Sequence, residues 1–341
     1  MAKSHREKPC RVNPRTKVFP AQRATCANRR FGGRSARRDG RLNRERRRAS
    51  IECVSRSRYH RHPFIRILFP VMRLLGIDLG TGSVKLVTLD ADGVERAVAS
   101  EPYALSSPQP GWAEIAPDTW WHALVRAAER LPADERAQVA AIGFSGQMHG
   151  VVPLDGDGRP VRPALLWPDT RAVRETDPAS WPDAGRSAAA NPIAPGMAGP
   201  LLRWLAAHEP HTLRAARWVV QPKDWLRIAL GGDVAADPSD ACATALATPD
   251  GDWDIALIDA LGLPADRFAP VRASSARCGV LAANAAAALG LPAGVPLTTG
   301  AADTACAALG SGLVAAGDAL LTTGSGGPDR RARRRAAACG A

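Results

Sequence analysis

The run Arg73-Leu74-Leu75-Gly76-Ile77-Asp78 is short, apolar and closed by an acid, and it passes directly into Gly80 and Gly82. Such a run reads as a buried strand entering a tight turn, because glycine takes backbone conformations that other residues resist. Residues 83–90 then alternate, with Val84, Leu86 and Thr88 on one face and Lys85, Val87 and Leu89 on the other. The turn Asp90-Ala91-Asp92-Gly93 leads into a third strand near 96–103, so this part of the chain opens as a hairpin meander. A helix is predicted next, capped by Asp118 or Thr119, with Trp121, Leu124, Val125, Ala128 and Leu131 on its apolar side. Residues 139–144 give another buried strand. Three strands, a helix and a strand predict an α/β domain that begins with a hairpin. A doubly wound dinucleotide fold would begin strand–helix–strand instead.

Further along, residues 155–200 are rich in Pro, Gly and Asp, which predicts loops able to form a binding surface. Helical patterns return at 201–208, 224–230 and 283–289, and a strand is predicted at 295–299. Gly300-Ala301-Ala302-Asp303 follows, then a helix over 304–309 and a strand over 319–323 that runs into Gly324-Ser325-Gly326-Gly327. A strand followed by a glycine turn thus occurs at 78–82 and again at 323–327. The repetition reads as the starts of two related halves.

Charge divides the chain. Its 341 residues carry a formal net charge of +12, but residues 1–71 hold +17 and residues 329–341 hold +4, leaving −9 for the patterned centre. A nucleic-acid-binding protein would need the basic end to be its working part, and the acidic centre argues against it. Periodic patterning begins abruptly at Met72, so the expectation is that the native protein starts there and that 1–71 and 328–341 are unstructured basic segments outside it. No apolar run approaches the roughly 20 residues of a membrane span. Seven scattered cysteines without CxxC spacing fit a reducing cytosol rather than a disulfide framework, and Cys242, Cys278 and Cys306 read as small apolar fillers.

Four clusters carry chemistry. Asp78-Leu79-Gly80-Thr81-Gly82-Ser83-Val84-Lys85 sets a carboxylate beside a glycine turn and a hydroxyl, which suits phosphate and hydrated Mg²⁺. It is neither GxxxxGK[ST] nor GxGxxG, and a plain hairpin turn explains it equally well. Ser145-Gly146-Gln147-Met148-His149-Gly150 offers amide, thioether and imidazole groups to a hydroxylated ligand, or simply a loop histidine bonded to backbone. Trp167, Asp169 and Arg171 combine an aromatic plate with an ion pair, or form an ordinary capped turn. Asp303 reads as the N-cap of the following helix, as a general base toward a hydroxyl attacking phosphorus, or as both.

Together these residues resemble the FGGY carbohydrate kinases, most of all the xylulokinases of that family, over about 72–327. Gly146-Gln147-Met148-His149-Gly150 is the most specific part of the resemblance. Leu166-Trp167-Pro168-Asp169-Thr170-Arg171, Gln221-Pro222-Lys223-Asp224-Trp225-Leu226-Arg227 and Ser239-Asp240 match further segments. The family's usual Lys after Pro is Leu201 here, following Pro200. The resemblance implies a ribonuclease H-like fold of the actin and hexokinase type, with a complete first domain at 72–297 and the start of a second at 298–327. It also implies ATP and Mg²⁺ as cofactors, a sugar as substrate, no nucleic-acid or membrane partner, a cytoplasmic location, and room for a homodimer. By the same resemblance Asp303 is the catalytic base, and Asp78 organises Mg²⁺ through water. Gln147, Met148, His149, Trp167, Asp169 and Arg171 meet the sugar. Gly80, Thr81, Gly82, Ser83, Lys85, Gly324 and Ser325 meet phosphate. The reaction implied is phosphorylation of a ketopentose, above all D-xylulose to its 5-phosphate, with the given chain, its second domain only begun, expected to transfer no phosphate by itself; a non-catalytic sugar-binding remnant and another FGGY kinase are its rivals.

Overall fold

A computed structural model of the chain describes residues 72–182, 192–315 and 319. The segments 1–71 and 328–341, the expected strand over 319–323, and Gly324 and Ser325 therefore lie outside the described residues, Ala319 excepted. The opening meander forms as its pattern predicts: β1 (Arg73–Leu79), β2 (Ser83–Leu89) and β3 (Glu95–Pro102) pair antiparallel in sequence order. Val84, Leu86 and Thr88 are buried on one face of β2. Short β4 (Glu114–Ile115) precedes the helix α1 (Pro117–Arg130). β5 (Val139–Gly146) follows the short helix α2 (Ala133–Ala137) and lies parallel to β1.

Two details of α1 differ from expectation. Its N-cap is Ala116, which makes no side-chain cap bond, because Pro117 starts the helix one residue before the expected caps. Proline suits that first position, where no N–H is needed. The helix consequently turns Trp120, Ala123, Leu124, Ala127 and Ala128 inward, and Trp121 and Val125 are only partly buried.

The residues after β5 build a second, smaller core. Strands β6 (Val152–Leu154), β7 (Ala164–Leu165) and β8 (Trp218–Val220) form small pairings, β4 with β7 and β6 with β8. Helices α3 (Ala198–His208) and α4 (Pro210–Ala215) pack together beside them, burying Leu201, Leu202, Leu205 and Leu213. Four further helices follow: α5 (Pro222–Ala229), α6 (Pro238–Ala243), α7 (Ile255–Ala260) and α8 (Ala283–Leu289). Helix α1 packs against β2 and β3 and against α5 and α8. Trp120 of α1 meets Trp225 of α5 with ring centroids 5.7 Å apart.

The main sheet is finished by β9 (Arg277–Val280), β10 (Pro296–Thr298) and β11 (Ala301–Ala302), and the last helix is α9 (Asp303–Gly310). Strand order is β3-β2-β1-β5-β10-β9, and β11 also pairs with β5. Both β10 and β11 run parallel to β5. The domain boundary expected between 297 and 298 falls inside β10, and the sheet takes up Ala301–Ala302 as well, after the step at Thr299–Gly300. An antiparallel meander joined to parallel strands gives the expected mixed α/β architecture, and it excludes an all-parallel doubly wound sheet.

Gly300 makes the step from β10 to β11. Its φ is +86°, and a Cβ there would stand 2.6 Å from Phe144 Cβ and 2.7 Å from the Phe144 carbonyl oxygen. Only glycine fits a position that combines this dihedral with such close backbone. Gly300→Ala should cost roughly 1–3 kcal/mol, as other overpacked sites do, measured by urea unfolding.

Candidate active site

Parallel pairing sets the site. Asp78 at the end of β1 stands level with Ser145 of β5, and Ala301 of β11 stands level with the same Ser145. The Ser145 hydroxyl donates to Asp78 Oδ1 at 2.7 Å. Asp303 emerges immediately after β11 and begins α9. The residue that caps α9 is Ala302, not Asp303, and it makes no side-chain cap bond. Asp303 is half-buried, with Oδ1 lacking a hydrogen-bond partner in the structure. Burial raises its carboxyl above the ordinary aspartate range, the Thr304 N–H opposes that shift, and the negative charge of Asp78 adds to it.

The glycine turn is braced from behind. The Gly80 N–H donates to the Ser83 carbonyl at 3.0 Å. The Tyr103 hydroxyl donates to the carbonyls of both Gly80 and Ser83. Gln147 donates its backbone N–H to Leu79 O at 2.9 Å and its side-chain amide to Gly80 O at 3.0 Å, leaving its buried Oε1 without a partner. Trp167, half-exposed, donates Nε1–H to Thr81 Oγ1 at 2.7 Å. Gly82 is exposed, with open space where a side chain would be. Lys85 pairs in register with Asp78 across β1 and β2. Both line a cavity of about 590 Å³ with Val87, Ser145, Gly300 and Cys306. Burial raises the Cys306 thiol above its usual value.

Met148 Sδ lies 3.2 Å from the Thr304 hydroxyl, which brings the Gln147–His149 segment against the helix that Asp303 begins. His149 adopts φ +71°, and its Nδ1 lies 2.6 Å from Ala243 O. A carbonyl can only accept, so Nδ1 carries a proton. The sequence pair Asp169 and Arg171 sits deeper. Asp169 accepts from Ala113 N, Arg171 N and the Arg171 guanidinium at 2.7–2.9 Å. Arg171 also bonds Glu114 and stacks over Trp112 at 3.6 Å, and only its buried Nη1 lacks a partner. The structure thus gathers Asp78, Lys85, Gln147, Met148, Trp167 and the turn around Asp303's end of the sheet, while Asp169 and Arg171 engage each other and Glu114.

Sequence reasoning assigned no chemistry to the buried charges behind this site. Lys223 is fully buried, with Nζ 2.7 Å from Asp224, 2.7 Å from Asp237 and 3.0 Å from Asp240. Arg227, also buried, bonds Asp224 at 2.8 Å and the Thr299 carbonyl at 2.5 Å. The available signal was two cations and an acid within the short α5, which has no exposed face to receive them. Burial disfavours the Lys223 ammonium, yet the three carboxylates outweigh it and raise its pKa. Burial pushes Asp237 up, and Lys223 together with the Ser239 hydroxyl and N–H more than reverses this. Asp240 is pushed up to about 8, chiefly by burial and then by Asp237 and Asp224 against the pull of Lys223. Two cations facing three carboxylates carry one surplus negative charge, and a proton on Asp240 removes it.

The sequence model of the FGGY family of carbohydrate kinases, N-terminal domain, matches residues 73–310. The chain belongs to this family. It is 38% identical over 257 residues to a xylulose kinase of Escherichia coli (strain K12), covering 74% of this chain and 53% of that relative. A crystal structure of a xyloylose kinase from Brucella ovis superposes with a TM-score of 0.68 at 36% identity, over 72% of this chain and 51% of that one. A xylulose kinase structure from Rhodospirillum rubrum gives 0.67 at 29%, over 73% and 53%. The chain spans about half the length of the curated relatives it matches. The mixed α/β body is therefore the N-terminal domain of an FGGY kinase, with the actin-like ATPase fold. Among the described residues no helix is long and apolar enough to cross a membrane.

An acid with a raised folded pKa favours folding while protonated, so the Asp240 contribution is complete below the usual aspartate range and is lost as pH rises through about 8. Asp240→Asn should therefore flatten the decline in melting temperature between about pH 5 and about pH 9, checked by thermal melts of both proteins.

Proposed function

We propose that the chain forms the sugar-binding part of a xylulose kinase, which moves the γ-phosphoryl group of ATP to a ketopentose hydroxyl and converts D-xylulose to its 5-phosphate. The observation carrying this reading is Asp303: a carboxylate of raised pKa, with one buried unpartnered oxygen, at the sheet edge where β1 also brings Asp78. Similarity to xylulose kinases supports the choice of sugar.

ATP, when bound, supplies the phosphoryl group and Mg²⁺ spreads its charge. The residues present fit both. Asp78 and Lys85 give the cavity one carboxylate and one ammonium in register, and open space stands above Gly82. The half-exposed Asp78 would hold hydrated Mg²⁺, and Gly80–Ser83 with Lys85 would meet the phosphates. Gly324 and Ser325 are assigned to phosphate by family resemblance alone.

Met148, His149 and Trp167 would contact the sugar, with Gln147 fixing the turn between the two substrates. The sugar roles implied for Asp169 and Arg171 reduce to the Arg171 Nη1, since their other polar contacts lie within the protein. Asp303 would accept the proton of the attacking hydroxyl, and a raised pKa strengthens it as a base. Phosphoryl transfer asks mainly for positioning, so one such carboxylate suffices.

The test pairs binding with transfer. His149→Ala should weaken D-xylulose binding, followed by calorimetry, far more than ATP binding. Asp303→Asn should leave sugar binding in place, and in a protein that joins this chain to the second half of a xylulose kinase it should cut ADP release with xylulose by roughly 10²–10⁴. Because Asp303 is not the helix cap, that loss would not arise from a missing cap. An Asn variant of near wild-type rate would remove Asp303 from the reaction, and xylulose binding without transfer would restrict the reading to sugar recognition.

A further inference from the structure

The buried charge cluster touches the β10–β11 segment at two points flanking Gly300. Arg227 holds the Thr299 carbonyl from one side. On the other, the Ala302 N–H donates to Ser239 Oγ at 2.9 Å. Ser239 belongs to α6, which packs against β11. Its hydroxyl donates in turn to Asp237 Oδ1, which also accepts the Ser239 N–H at 2.9 Å and the Ser274 hydroxyl at 3.4 Å. Asp237 Oδ2 completes the chain at Lys223 Nζ, 2.7 Å away. A hydroxyl has one proton to give and lone pairs to receive, and Ser239 uses both in one line from the buried ammonium to the residue before Asp303.

We propose that Ser239 is a positioning residue for Asp303: by accepting the Ala302 N–H while bound to Asp237, it fixes the backbone from which the candidate base projects. The assignment rests on the kinase reading for what Asp303 does, and on the hydrogen-bond geometry for what Ser239 does. Helix α9 has no side-chain cap of its own, so the start of the helix is held from outside, by a neighbouring helix. The line runs from the buried Lys223 and Asp237 to the partly buried Ser239, and inside the protein such hydrogen bonds are shielded from competing water. Around Asp303 itself, the charged group that faces it is Asp78 of β1. Lys223 and Asp237 lie behind Ala302 and act through the backbone.

The experiment follows two signals by NMR on the full chain: exchange of the Ala302 amide, and titration of the Asp303 carboxyl, assigned by its loss in Asp303→Asn. In the wild type the amide should be protected, and the carboxyl should titrate above the ordinary aspartate value. Ser239→Ala should speed exchange at Ala302 by about tenfold, as loss of one hydrogen bond does, and should lower the Asp303 pKa as the carboxyl gains freedom to reach water. Ser239→Thr keeps the hydroxyl and should restore both signals, which a general loss of stability would not. Unchanged exchange and titration in a folded Ser239→Ala protein would overturn the proposal. Should that variant not fold, an unprotected Ala302 amide in the wild type would overturn it equally. Absence of xylulose binding would sink the kinase reading and leave these two signals where they are.

Discussion

A fully buried ammonium, Lys223, governs how this domain is assembled. Removing such a charge from water costs several kcal/mol, which neighbours recover only with close geometry. Here Asp224 comes from the same helix, and Asp237 and Asp240 come from the start of the next. Helices α5 and α6 are therefore fixed to each other by an interaction that tolerates no looseness, since losing one partner strands the rest. Arg227 extends the same cluster to Thr299, just past strand β10. Proton uptake by Asp240 balances its charge without an added ion.

From that anchor the site follows by topology. Strands β1, β5 and β11 run parallel, so their carboxyl ends arrive at one edge of the sheet, the place where open α/β sheets receive ligands. Two of the strands end on or next to an aspartate, Asp78 and Asp303, and the third ends in the Gln147–His149 segment. The turn between β1 and β2 is tied down through its carbonyls by Tyr103 and Gln147. Positioning and chemistry are thus divided: the groups that hold the edge in place are buried behind it, and the groups suited to react stand at it.

Local patterning made the meander legible, because the alternation of β2 and the turn at 90–93 are encoded within a few residues. It also placed Asp78 at a strand end and Asp303 between a strand with its glycine turn and a helix, whereas the short pairing of Ala301–Ala302 with β5 was not visible in it. The caps were less legible. Asp118 and Asp303 each look like N-caps in isolation, yet the helices start earlier, with Ala116 two residues before Asp118 and Ala302 one before Asp303 as the caps. The Lys223 cluster was hidden for a different reason. Its members are separated by up to 17 positions, and a Lys-Asp pair beside a Pro resembles a solvated helix start until the fold encloses it. Asp169 and Arg171 were visible as an ion pair, but their enclosure by Glu114 and Trp112 depends on contacts some 57 residues apart.

Gly300 imposes a constraint of an unusual kind. The atoms that crowd it are the Cβ and the main chain of Phe144, not the aromatic ring. Trimming that ring to a smaller side chain would leave the obstruction in place, because every residue except glycine keeps a Cβ at 144 and all keep the carbonyl. Compensating changes in the core therefore have nothing to act on. The separation between the strand that bears Ser145 and the segment that bears Asp303 is set by two backbones in contact, a dimension that side-chain evolution around the site cannot adjust.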